Sequence, residues 1–312
     1  MVRLADRRSA LQRRAQIVQA NKKRFTTVIS EHRHEGASSE SVFFSKQLQP
    51  LDGTRRPYPA GSKIQIEVVN EDSLVAARKL MDSVGDDAKG KTAVLNLASD
   101  QHPGGGYESG SMAQVSEVKR RSFEVFNLHL SDFTLQEEAL CYSSTLFPTL
   151  LHSASHYPWP NTGPKSIAGL YSPGVVIFRE ALTELVLSSD GKLCPELPSK
   201  RRRVISVISV AAPRLPPLST DGSDFEREED RDNVREKVRL ILRIAAGKNQ
   251  RYLVLGALGC GAYRCPPEAV ARLMKEVILE PEFNGWFRRI VFAVYSPPGN
   301  FQTFSRNTHR SS

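Results

Sequence analysis

The feature that most constrains this chain is the alternation of short apolar runs with amphipathic stretches. Ile64–Val69, Val94–Ala98, Val175–Phe178, Val204–Val210, Tyr252–Leu255 and Ile290–Tyr295 have the length and apolar content of strands. Between and around them, helices are predicted over 5–30, 74–81, 137–146, 233–246 and 266–279. Pro148 is expected to stop the third of these at Phe147. Residues 32–62 carry Gly, Ser and Pro breaks, and 214–232 are rich in proline and then in acid; both are predicted to be surface loop. Strands alternating with helices specify an α/β domain around a central sheet.

Composition narrows the class. The chain has 312 residues, enough for a substantial core. It lacks a long uncharged apolar run, so no membrane partner is expected. The N-terminus has no apolar signal core, which points to an intracellular protein, cytoplasmic or nuclear. None of Cys141, Cys194, Cys260 and Cys265 forms a CxxC pair, and no histidine stands at zinc spacing. Reduced thiols and no metal are therefore expected. The net charge is +9, and residues 1–35 alone carry nine Lys/Arg against three Asp/Glu. That segment could attract a polyanion or be an ordinary solvated helix face. The same choice holds for Lys200-Arg201-Arg202-Arg203, an import signal or a loop before a strand.

Two glycine loops follow predicted strands. The first runs from Asn96 through Asp100 and Pro103 to Gly104-Gly105-Gly106. Successive glycines let a backbone approach a ligand closely and adopt positive φ. In open α/β sheets, ligands bind beyond the carboxyl ends of the strands, where this loop lies. The second, Gly256 to Tyr263, precedes a helix opening at Pro266-Pro267. Strand, glycine loop and helix together present N–H groups to phosphates. Neither the Walker pattern nor GxGxxG is present, so the pair of loops indicates a diphosphate-containing ligand of another class. Tyr263 could stack on a ring or pack in the core. Glu137 and Glu138 begin a predicted helix. Neighbours on a helix point about 100° apart, so the two carboxylates are not expected to face one point equally. One could hold a sugar while the other moves a proton; alternatively both merely decorate a helix N-terminus.

Taken together, Val-Leu-Asn-Leu-Ala-Ser, Pro-Gly-Gly-Gly and Gln-Glu-Glu-Ala-Leu-Cys-Tyr resemble the microbial-type poly(ADP-ribose) glycohydrolases, which have the macrodomain fold. Gly169–Arg179, Ala211-Ala212-Pro213 and Gly256–Pro267 are also similar to that family. The resemblance implies a three-layer α/β domain, a mixed sheet between helices, over residues 63–305. An N-terminal helical extension over 1–62 would pack on it, and 306–312 would form a disordered tail. It implies hydrolysis of ribose–ribose bonds in poly(ADP-ribose), with Glu138 as the catalytic acid and Glu137 holding the adjacent ribose. Asn96, Gly104, Gly105, Gly106 and Gln136 would line the ribose and diphosphate. Gly259, Cys260, Gly261, Ala262 and Tyr263 would wrap the diphosphate. Asn70–Ser73 and Phe301 are candidates for the adenine. No cofactor is implied. The partner would be the polymer or an ADP-ribosylated protein, met by a monomer, with nucleic acid involved only indirectly. A non-hydrolytic ADP-ribose-binding module is the alternative.

One departure stands out. The family spacer between glycines and Gln-Glu-Glu is short, whereas here 29 residues separate Gly106 from Gln136. Joining Gln114 directly to Glu137 restores the pattern and leaves 22 residues, 115–136, as extra. Val115-Ser116-Glu117 and Leu135-Gln136 are compatible with splice-site codons at either end. The segment is accordingly expected to be an in-frame retained intron, as in a fungal, eukaryotic gene, or else a surface insertion.

Overall fold

The structure, a computed structural model, describes residues 2–108, 136–182, 194–295 and 299–309, with only the backbone for 2–11, 308 and 309. Its frame is a seven-stranded sheet. The strands are β1 (Val42–Phe44), β2 (Gln65–Val69), β3 (Thr92–Leu97), β4 (Gly169–Ile177), β5 (Arg203–Val210), β6 (Tyr252–Leu255) and β7 (Arg289–Ala293). They lie in the order β1-β4-β5-β3-β6-β7-β2. From β2 to β5 the neighbours are parallel; β4 and β1 finish the other edge antiparallel. A parallel sheet is covered on both faces, which is why its strands are near-continuous apolar runs in the sequence.

Seven α-helices among the described residues form the outer layers: α1 (Val2–Glu31), α2 (Ser73–Val84), α3 (Gln136–Ser143), α4 (Leu146–His152), α5 (Glu228–Gly247), α6 (Pro267–Ile278) and α7 (Asn300–His309). Strand side chains alternate between faces. On one face Val94 and Val207 share a core with Val28 of α1, Leu74 of α2, Leu140 of α3 and Phe147 of α4. On the other, Ala93, Leu95 and Ile208 share one with Val238, Val270 and Phe304 from the last three helices. The chain is thus a three-layer α/β fold, as the pattern of elements implied, and macrodomain-like, as the resemblance implied.

Three local expectations are corrected. Strand β1 lies inside the predicted loop 32–62, pairing Val42–Phe44 with Gly169–Tyr171. The helix expected to run to Leu146 ends at Ser143. There Thr145 turns to the sheet: its N–H donates to Val176 O (3.0 Å) and its hydroxyl accepts from Val176 N (2.9 Å). A new helix then starts at Leu146, so Pro148 lies in a first turn, where its missing N–H costs nothing. The expected tail from 306 is helical as far as His309, and residues 310–312 fall outside the described set, as do 115–135 of the extra segment. No described helix is long and apolar enough to cross a membrane.

Candidate active site

The carboxyl end of β3 organises the site. Gln136, the first residue of α3, is anchored there by three hydrogen bonds. Its side-chain oxygen accepts from Leu97 N (2.7 Å), and its amide nitrogen donates to Leu95 O (3.0 Å) and to Ser73 Oγ (2.7 Å). Gln136 therefore fastens the helix N-terminus to β3 and α2 rather than offering its amide to a ligand.

The next two residues are the acids. Glu137 Oε1 accepts from Asn96 Nδ2 (3.1 Å) and Oε2 from Ser99 N (2.7 Å). Asn96 is wholly buried, and the same amide also donates to Ser209 Oγ at 3.0 Å. It thus sits behind Glu137 and orients it. Glu138 Oε1 accepts from Gly106 N at 2.7 Å. Both acids are buried. Burial first, then the charge of Glu138, pushes Glu137 up to about 8, against the hydrogen bonds from Ser99 and Asn96 that favour its anion.

The triple glycine wraps this pair. A Cβ on Gly105 would lie 2.5 Å from Glu138 Oε1 and 3.3 Å from Glu137 Oε2, and one on Gly104 would lie 2.8 Å from the Phe147 ring. Both residues also hold positive φ, 71° at Gly104 and 56° at Gly105, a conformation that costs other residues about 1–2 kcal/mol. So Gly105 is required by the acids themselves, and Gly104 by the Phe147 ring packed beneath the loop. Both carboxylates stand at the gap left at Gly105, Glu138 nearer to it than Glu137, and each takes a different backbone N–H.

The second loop faces the first. Gly256 approaches within a Cβ's contact of Gln136 Nε2 (3.5 Å) and Leu97. Gly259, at φ 75°, leaves no room beside Ala212 and Cys265. Gly261 and Ala262 are exposed, with Cys260 and Tyr263 half-buried. A cluster absent from the sequence reading ties the loops together. The Tyr263 hydroxyl donates to Asp100 Oδ1 at 2.8 Å, Arg214 pairs with the same carboxylate, and the guanidinium lies 5.1 Å over the Tyr263 ring. Asp100 is held below its usual range despite its burial, by hydrogen bonds from Gln101, Tyr263 and Arg214. The only available signal was Asp100 two residues after the loop's first alanine and Arg214 directly after Ala-Ala-Pro. Nothing in their spacing pairs them.

Of the adenine candidates, Asn70 is exposed, while Asp72 and Phe301 already have roles within the fold. Asp72 caps α2, accepting from Leu74 N (2.8 Å) and Val75 N (3.2 Å). Phe301 is half-buried against the second core, in a helix that packs on β2.

The family described as microbial-type PARG, catalytic domain, matches residues 9–131 and 129–180 of this chain. No curated relative matches it. Among solved structures, poly(ADP-ribose) glycohydrolase from Thermomonospora curvata is similar with a TM-score of 0.67 at 25% identity, over 94% of this chain and 98% of that one. The Deinococcus radiodurans enzyme, in complex with ADP-ribose, is similar with a TM-score of 0.59 at 26% identity, over 87% of this chain and 95% of that one. The expectation of a eukaryotic, fungal source is corrected by these matches: the family is of the microbial type, and both structures come from bacteria.

Proposed function

This chain belongs to the microbial-type PARG family of glycosidase-type hydrolases, and we propose that it cleaves the ribose–ribose O-glycosidic bonds of poly(ADP-ribose), releasing ADP-ribose. The observation that carries this reading is the convergence of Glu137 and Glu138 on Gly105, each fixed by a backbone N–H of the glycine loop.

Cleavage breaks the bond between an anomeric carbon and the hydroxyl oxygen of the next ribose, through an oxocarbenium-like state. Glu138 gives its proton to that leaving oxygen. Water then attacks the anomeric carbon, and its proton returns to Glu138. Glu137 holds the ribose beside the reacting bond, with Asn96 behind it. Burial, and after it the charge of Glu138, raises the proton affinity of Glu137 itself. Gly104–Gly106 line the ribose, and Gly259–Tyr263 wrap the diphosphate. The Asp100–Arg214–Tyr263 cluster sets the distance between the two loops.

The test is Glu138→Gln, which keeps the shape and removes the transferable proton. Polymer turnover is expected to fall by at least 1,000-fold, on the order of the loss of a general acid, while calorimetry shows ADP-ribose binding within a few-fold of the parent. Retained turnover would remove Glu138 from this role. Binding without turnover in the parent would select a non-hydrolytic module instead.

A further inference from the structure

Asn21 is wholly buried, although it lies in the most basic and polar helix of the chain, 115 residues before Gln136. Its amide nitrogen donates to Tyr142 O at 2.9 Å and is 3.4 Å from Cys141 O. These are carbonyls in the last turn of α3, which lack partners within their own helix. The other end of the amide is fixed as well: Asn21 Oδ1 accepts from Arg179 Nε at 2.7 Å, and Arg179 Nη1 donates to Cys194 O at 3.0 Å. The hydroxyl of Tyr107, the residue directly after the triple glycine, lies against the same amide. The Tyr107 ring packs on Tyr142 (centroids 5.1 Å) and Phe147 (4.7 Å).

Helix α3 is only eight residues long. Its N-terminal turn carries the two acids and is pinned by Gln136; its C-terminal turn is pinned by Asn21. A short helix held at both ends cannot slide or tilt relative to the glycine loop. We propose that Asn21 is a positioning residue: the N-terminal helix sets where Glu137 and Glu138 stand by capping the far end of the helix that bears them. Arg179 works with it by fixing which way the amide points. The extension is thereby part of the working site rather than an appendage to it. This inference rests on the reading of Glu138 as the catalytic acid.

The experiment compares Asn21→Asp with Val28→Ala in the full chain. Val28 is equally buried in α1 but packs only in the core, so its truncation reports loss of helix docking without loss of the cap. Asn21→Asp keeps the size, loses the donor and sets a carboxylate against two carbonyls. Because a displacement of ~1 Å at a reacting centre costs about 100-fold in rate, kcat on polymer should drop about 100-fold with KM changed less than about threefold. Val28→Ala should lower Tm and leave kcat within about twofold. Amide hydrogen exchange across 136–143 gives a readout independent of turnover: it should rise in Asn21→Asp and not in Val28→Ala. Arg179→Met, which frees the amide without adding charge, should repeat both effects if the aspartate variant does not fold. Normal kcat and normal exchange in a folded variant overturn the inference while leaving Glu138 in its role. Loss proportional to Tm in both helix variants overturns it equally. If the parent itself has no turnover, the reading of Glu138 fails, and exchange alone decides whether Asn21 holds α3.

Discussion

Glu137 and Lys237 put opposite pH dependences into one domain. Glu137 stands at about 8 against an ordinary 4.5, chiefly through burial and then through Glu138. The native state therefore binds a proton that the unfolded chain releases. By linkage, the stability this contributes is complete below about pH 4.5 and is lost as pH rises through 8. Lys237, fully enclosed and donating to Asn161 O, is pushed down to about 7 by burial. Its native form favours the neutral amine, so its contribution grows as pH climbs from about 7 towards 10.5. The two partly cancel between pH 7 and 8, so the comparison that isolates Glu137 is against Glu137→Gln. That variant should gain Tm over the parent at pH 8.5 and lose most of the gain at pH 5. Each 1 kcal/mol is worth about 2–4 °C in a chain of roughly this size. Parallel curves for the two proteins would mean that Glu137 titrates normally.

At the scale of elements, the joint between the glycine loop and α3 decides the outcome. Gln136 makes three bonds that only a glutamine at this helix position can make together. Joining Gln114 directly to Glu137 is expected to restore the family pattern, with 115–136 as the extra stretch. The family match itself falls into two parts that meet at 129–131, inside that stretch. We propose that Gln114, joined directly to Glu137, takes over the contacts of Gln136 with Leu95, Leu97 and Ser73. The chain lacking 115–136 is expected to melt higher and to turn over polymer faster, because a shorter tether fixes the loop against the acids. Equal Tm and equal turnover would instead mark the segment as a tolerated insertion. Elements differed in how plainly the sequence declared them. Strands β3, β5 and β6 are apolar on both sides and were visible as runs. Strand β1 was not, because a three-residue edge strand has no periodicity to read. The break at Ser144–Thr145 was hidden as well, since it is made by Val176, a partner more than thirty residues away.

For the whole molecule, the sequence told more about which loops form the site than about what holds them. Gly104–Gly106, Glu137 and Glu138 stood out as candidates through their residue types and the family resemblance. Asn21, Arg179, Asp100 and Arg214 were not, because each acts through a partner far along the chain and carries no local pattern. The assembled picture is a sheet whose carboxyl edge presents two glycine loops, with an acid pair between helix and loop and an N-terminal helix behind it. We propose that this pair cleaves a glycosidic carbon–oxygen bond and leaves the diphosphate intact. Turnover of poly(ADP-ribose) in H218O, followed by mass spectrometry of the product, tests that directly. ADP-ribose is the expected product, with one heavy oxygen on the anomeric carbon and none on phosphorus. Heavy oxygen on a phosphate, or a nucleoside monophosphate as product, would contradict it.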